Sequence, residues 1–107
     1  PILQVEGYEA DDVMGTLAVK AAAEGWDVFL MTSDKDFAQL VNGNIRLFRP
    51  GLAGKPHEIL DAAAVTEKYG VPPHQIRDLL GLKGDASDNI PGVPKVGDKT
   101  AIALIQQ

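Results

Sequence analysis

The sequence predicts an α/β core holding a partial parallel sheet, followed by an all-helical module, and three observations predict it. Residues 1–48 alternate short β-prone runs with helical patterns, a strand, helix, strand, short helix, strand rhythm. That rhythm implies a parallel sheet with helices packed on it. After a turn-rich stretch the strand patterns disappear and apolar residues recur at helical spacing. Glycine and proline then stand where helices start and stop. The expected division is an α/β core over residues 1–60 and a helical module over residues 61–107.

Taken in order, "ILQV" (2–5) reads as a first buried strand. From Glu9 to Glu24, Val13, Leu17, Ala18, Ala21 and Ala22 fall at helical spacing, and Gly25 is placed to end that helix. "DVFLMTS" (27–33) is a second strand, "DKDFAQLV" one or two helical turns, and "NIRLF" (44–48) a third strand. "RPGLAGKPHEI" is a hairpin or loop. "DAAAVTEKYG" is a helix closed by Gly70, and "PPHQIRDLLGL" another, opened by Pro72 and Pro73. A glycine- and proline-punctuated hairpin and an amphipathic helix complete the chain. Trp26 and Phe29 are expected in or beside the core, and His57, His74, Arg77 and Lys83 on the surface.

Composition excludes several classes of function. There is no cysteine, hence no disulfide framework, zinc thiolate site or cysteine nucleophile. No apolar run reaches the length of a membrane span, and the start lacks a secretory signal pattern. The chain opens on Pro1 and ends within a helical pattern, so it reads as a piece of a longer protein. Net charge is −5, but residues 1–36 hold eight acidic and two basic side chains, against seven and eight in the remainder. Acid is concentrated at the front, and the back half can still meet a polyanion.

That acid falls in groups. Glu9, Asp11 and Asp12 crowd one helix entrance, Asp34 and Asp36 follow the second strand, and Asp85 and Asp88 lie in "GDASDN". Two carboxylates about 4 Å apart repel by roughly 4 kcal/mol at an effective dielectric near 20. Taken singly, each group suits a helix cap or a turn. Taken together, with two groups at the ends of neighbouring parallel strands where α/β proteins bind ligands, they exceed what caps require. Oxygen donors without histidine or cysteine point to magnesium or manganese, as one or two ions. Two such ions suit phosphodiester hydrolysis. "DKD" lacks the loop and terminal glutamate of a calcium EF-hand.

"IPGVPKVGDKTAIALI" carries a second chemistry. Gly92 and Gly97 bracket a tight hairpin feeding a helix, whose exposed amides can hold phosphate oxygens, with Lys95, Lys99 and Thr100 to assist. Followed by "DKTA" and an apolar-periodic helix, it reads as a helix-hairpin-helix.

With "EADD", "TSDKDFAQL" and "LLGLKGDASDNIPGVPKVGDKTA" in this order, essentially the whole chain resembles the 5′-nuclease (5′→3′ exonuclease) domain of bacterial DNA polymerase I, within the flap endonuclease superfamily. The resemblance implies a PIN-like nuclease core and a helix-three-turn-helix. It implies a hydrolase cutting phosphodiesters at 5′ flaps, nicks or RNA primers in DNA replication and repair, with two divalent metals. Glu9, Asp11, Asp12, Asp34 and Asp36 would be metal ligands, Asp11 and Asp12 nearest the first ion. Asp85 and Asp88 would serve the second, partly through water. Asp11, Asp12 and Asp34 are the residues expected to be catalytic. Gly92, Val93, Lys95, Val96, Gly97, Lys99 and Thr100 would contact duplex DNA, and the hairpin backbone would also hold potassium.

The resemblance further implies a monomer in the bacterial cytoplasm, fused to further domains. An early-strand aspartate, another near the helical arch, and the arch's basic residues belong to the family pattern but not to this sequence. Impaired activity of this segment alone is therefore expected. Two other functions share part of the pattern. A non-catalytic DNA-structure-binding module would need only the hairpin, and a PIN-like ribonuclease only the acidic pocket. A flavodoxin-like phosphoacceptor leaves Asp85 and Asp88 unexplained.

Overall fold

The computed structural model describes all residues, Pro1–Gln107. Helix α1 spans Ala10–Ala23, opened by Glu9, with Asp11 and Asp12 in its first turn. It ends as its sequence dictates: Gly25 adopts φ 89°, a conformation glycine enters freely. Trp26 N–H then reaches back to the Ala21 carbonyl and Gly25 N–H to Ala22, closing a Schellman-type cap.

Strand β1 (Val28–Met31) pairs in parallel with β2 (Ile45–Arg49), with Val28 opposite Ile45 and Met31 opposite Phe48. Between them the chain makes a 3-10 helix over Lys35–Leu40. Strand β3 (Glu58–Leu60) returns antiparallel on β2, giving the sheet order β1-β2-β3. Helices α2 (Ala62–Tyr69), α3 (Ile76–Lys83) and α4 (Asp98–Ile105) follow. Asp61 caps α2 by accepting the Ala64 N–H, and Gly70 closes it at φ 80°. A short 3-10 turn, Pro73–Gln75, leads into α3. The mixed α/β architecture with a helical C-terminal part is the fold class expected.

One buried cluster joins these parts. Ile45 and Leu47 of β2 pack with Phe37, Ala38 and Val41 of the 3-10 region, Val65 of α2, Ile76 and Leu79 of α3, and Ala101 of α4. Burial of side chains of this size stabilises by about 1.5–3 kcal/mol each. No helix is long and apolar enough to cross a membrane.

Three expectations are corrected. "ILQV" (2–5) is not a strand: it makes no ladder bonds, only a turn bond from Tyr8 N–H to the Val5 carbonyl, and Ile2 and Leu3 are exposed. β propensity does not make a strand without a neighbour to pair with. Trp26 and Phe29 are more than half exposed rather than in the core. Phe29 alternates with Val28 and Leu30, which take the inward positions of β1, and Arg46 lies 5.6 Å from the Phe29 ring centre. Trp26 precedes the strand. The helical half is also not strand-free. β4 (Gly84–Asp85) and β5 (Ile90–Pro91) form a short antiparallel pair.

That pair is closed by backbone rather than side chains. A Cβ on Gly92 would lie 2.3 Å from the Lys83 carbonyl carbon, and one on Gly84 2.3 Å from the Gly92 nitrogen. Gly92→Ala is therefore expected to cost about 2 kcal/mol or more, through a clash that backbone must move to relieve. Gly81, exposed within α3 with nothing near its missing Cβ, predicts the opposite sign. Gly81→Ala should stabilise by about 0.5–1 kcal/mol. Urea denaturation of both variants checks the pair, and equal shifts would contradict the packing described.

Candidate metal centre

The acidic side chains are placed by the exit from β1. Thr32 Oγ1 accepts the Asp34 N–H at 3.1 Å, and Asp34 Oδ1 accepts the Asp36 N–H at 2.9 Å. These two caps turn the chain off the strand end into the 3-10 helix. Asp34 thus does cap, as the simpler reading of its position has it. Asp36 is not used in this way. Its Oδ1 is buried and has no hydrogen-bond partner. Leaving such an oxygen unpaired costs about 1–3 kcal/mol. Burial pushes the Asp36 carboxyl above the ordinary aspartate range, and the charge of Asp34 adds to the effect.

Asp85 arrives from the far end of the sequence on β4. Its side chain is only 6% exposed, and Lys35 Nζ lies 3.0 Å from Oδ1 and 2.9 Å from Oδ2. Ser87 N–H also donates to Oδ1 at 3.0 Å. The Lys35 hydrogen bond holds the Asp85 carboxyl below the ordinary range despite its burial, and the same bond raises the Lys35 ammonium. Asp36, Asp85 and Asp88 each offer one carboxylate oxygen, and these lie within 4.8 Å of one another.

Two clefts meet at Asp36. One is lined by Asp11, Asp12 and Asp36 together with Gly15, Phe37, Gln39 and Leu40. The other is lined by Asp34, Asp36, Asp85 and Asp88, with Lys35, Arg49, Lys68 and Tyr69 among its walls. Asp36 is common to both clefts, with Asp11 and Asp12 in one and Asp34, Asp85 and Asp88 in the other. The group whose oxygens lie close enough to share an ion is Asp36, Asp85 and Asp88. Glu9, at the N-cap of α1, lines neither. The donor set fits a hard divalent cation: all oxygen, no histidine or cysteine, and one buried carboxylate oxygen lacking a partner.

Sequence reasoning passes over the basic side of the second cleft. Arg49 Nη2 donates to the Tyr69 hydroxyl at 3.0 Å, and its Nε is buried without a partner. Lys35 stands between two of the aspartates in "SDKDF", and that position is its only signal. Arg49 has none, because β2 and α2 become neighbours only in the fold.

At the hairpin, Val93 N–H is bonded to the Leu82 carbonyl at 2.8 Å and Val96 N–H to Val93 at 3.0 Å. These two amides are engaged within the fold. Lys95 adopts φ 67°, which sharpens the turn. Gly97 opens α4 without a side-chain cap, so the first-turn amides of α4 keep free donors. Lys95, Lys99 and Thr100 are exposed beside them, and Gly92 lies against the Lys83 and Gly84 backbone.

Comparison with known proteins identifies the family and the fold. Residues 1–70 match the family model of the 5′-3′ exonuclease N-terminal resolvase-like domain, and residues 71–107 that of the 5′-3′ exonuclease C-terminal SAM fold. The chain belongs to the 5′-3′ exonuclease family. It is 49% identical over 106 residues to a 5′-3′ exonuclease of Buchnera aphidicola, covering 99% of this chain and 34% of that protein. It is 52% identical over 105 residues to DNA polymerase I of Pseudomonas aeruginosa, covering 98% of this chain and 11% of that protein. The chain thus spans about a third or less of these relatives. A solved structure of T5 5′-exonuclease with bound zinc superposes with a TM-score of 0.82 at 27% identity, over 99% of this chain and 38% of that one.

The Lys35–Asp85 pair fixes a pH signature. The depressed Asp85 carboxyl contributes stability that is complete above its ordinary 3.8 and lost as pH falls through the lower folded value. The raised Lys35 ammonium contributes below its ordinary 10.5 and loses that share as pH climbs through the higher folded value. Asp85→Asn should lower the melting temperature most between about pH 5 and 9, with the gap closing at both ends. A gap that does not vary with pH would contradict the pairing.

Proposed function

We propose that the converging carboxylates form the divalent-metal centre of a 5′ nuclease that hydrolyses phosphodiesters at 5′ flaps, nicks or RNA primers in DNA replication and repair. The observation that carries this reading is the buried, partnerless Asp36 oxygen at the junction of the two acidic clefts. A bound cation gives that oxygen a partner and offsets the repulsion that crowding creates. Family membership supports the chemistry, and the zinc-bound T5 5′-exonuclease supports the use of metal.

In this reading Asp36, Asp85 and Asp88 would hold one ion, and Asp11 and Asp12 beside Asp36 would hold a second, as magnesium or manganese. Asp34 acts mainly by fixing the turn that aims Asp36, and Glu9 from the rim of α1. Bound there, such ions would supply Lewis acidity and a water of lowered pKa for phosphodiester hydrolysis. The carboxylates keep those charges in place and exclude competing donors. Arg49 and Lys68, across the cleft, offer positive charge to a phosphate oxygen.

The hairpin from Gly92 to Gly97, with Lys95, Lys99 and Thr100, grips the duplex backbone through the free first-turn amides of α4 and the lysine ammonium groups, without reading bases. Potassium between hairpin carbonyls and a phosphate would extend the same grip. The acting protein is proposed to be a monomeric, longer chain of the DNA polymerase I kind, in which this segment supplies part of the nuclease.

Two expected outcomes test the reading in the full-length protein carrying this chain. Asp36→Ala and Asp11→Asn should each lower cleavage of a 5′-flap substrate in magnesium by about 100-fold or more. Duplex affinity should stay the same or tighten slightly, since a carboxylate is removed from a phosphate path. Undiminished cutting by both variants would sink the nuclease centre and leave a DNA-structure-binding module. Separately, Lys95→Ala and Lys99→Ala should weaken duplex binding and each reduce the salt slope by about 1. Affinities unchanged across a salt titration would remove the hairpin from the interface.

A further inference from the structure

Lys35 is the one cation ion-paired to a carboxylate of the acidic cluster. Its ammonium sits within 3.0 Å of both Asp85 oxygens, and Asp34 and Asp36 are the other carboxylates that bear on it. The pairing is long-range: 50 residues separate the partners, one on the 3-10 helix after β1 and one on β4. Asp85 is also one of the three residues whose oxygens lie close enough to share an ion. The same carboxylate is thus claimed twice.

We infer that Lys35 is a built-in competitor that sets how tightly the Asp36–Asp85–Asp88 cluster binds a divalent cation. The inference rests on the metal reading above and adds a residue to it. A carboxylate has about four lone-pair positions, so Asp85 has acceptor sites for both a lysine and an ion. Charge decides otherwise, because a monovalent and a divalent cation on one carboxylate repel each other strongly at such range. Lys35 can yield: its ammonium is a point charge on a flexible four-carbon stem, and its side chain is 33% exposed. An ion entering the cluster therefore has to displace Lys35 from Asp85, and its affinity is reduced by the strength of that bond. Lys35 also neutralises Asp85, so the cluster folds with less like-charge repulsion. The lysine supports the pocket's fold and weakens its ion binding by the same contact.

Manganese(II) alone is the probe, titrated into the 107-residue chain while free ion is read by electron paramagnetic resonance. Lys35→Met should bind one class of manganese about tenfold tighter than the unchanged chain, the effect of removing a nearby like charge. Its melting temperature should be lower without added manganese and rise further on saturation. Lys35→Arg, which keeps the competing charge, should gain no affinity. Lys20→Met makes the same change in net charge about 12 Å along α1 from Asp12, and should also gain none.

Equal or weaker binding by a folded Lys35→Met overturns the inference, and so does an equal gain in Lys20→Met. If Lys35→Met loses its circular dichroism signature, Lys35→Gln takes its place: tighter binding supports the inference, and equal or weaker binding overturns it. No manganese binding by the unchanged chain overturns both this inference and the metal reading. Binding that Lys35 variants leave unchanged overturns only the inference.

Discussion

Bringing Asp36, Asp85 and Asp88 within 4.8 Å of one another is electrostatically uphill, and much of the fold serves to make it tolerable. Lys35 neutralises Asp85 from one side, and the Ser87 N–H supports it from another. Asp34 gives one oxygen to the backbone and so helps to fix the turn that holds Asp36 in place. The Asp36 Oδ1 has no hydrogen-bond partner, and burial, with the charge of Asp34, raises its carboxyl. A fold that leaves one buried carboxylate oxygen unpaired carries a local cost, and a ligand that supplies the missing partner recovers it. The acidic cleft thereby presents an all-oxygen donor set of the kind that suits a hard cation.

The same constraint ties the two ends of the chain together. Asp85 can reach the sheet end only because β4 and β5 pair closely, and they pair closely because Gly84 and Gly92 carry no side chain. Gly92 is also the first residue of the hairpin expected to grip a duplex. Eight positions in sequence thus span a carboxylate of the acidic cluster and the start of the candidate phosphate-binding loop. Beneath them a single buried core runs from Ala18 through β2 to Ala101, so the helical part is seated on the sheet. That continuity gives the cleft and the hairpin a shared foundation.

Much of this was legible in the sequence. The periodicity of α1, its end at Gly25, the strands at "DVFLMTS" and "NIRLF", and the closure of α2 by Gly70 all follow from local rules that the structure obeys. The grouping of acids was legible as well, but the placing of two groups at neighbouring strand ends was not: "ILQV" forms no strand, so only Asp34 and Asp36 follow one. What depended on partners was not. "ILQV" has strand composition but pairs with nothing, and Phe29 looks like a core residue until β1 fixes which side faces inward. The ion pair of Lys35 with Asp85 and the contact of Arg49 with Tyr69 join residues 50 and 20 positions apart. No local pattern announces such pairs.

The central claim is that all three acidic groups share bound cation, with Asp36 between them. Paramagnetic broadening by substoichiometric manganese(II), read from the amide signals of the isotopically labelled chain, tests it most directly. The account predicts that amides near Asp11 and Asp12, Asp36, and Asp85 and Asp88 broaden together, while those of the α4 C-terminal turn stay sharp. Broadening confined to one group, or spread evenly over exposed acids such as Glu24 and Asp27, would contradict it. In that case the carboxylates would be caps and turn formers that happen to lie near one another.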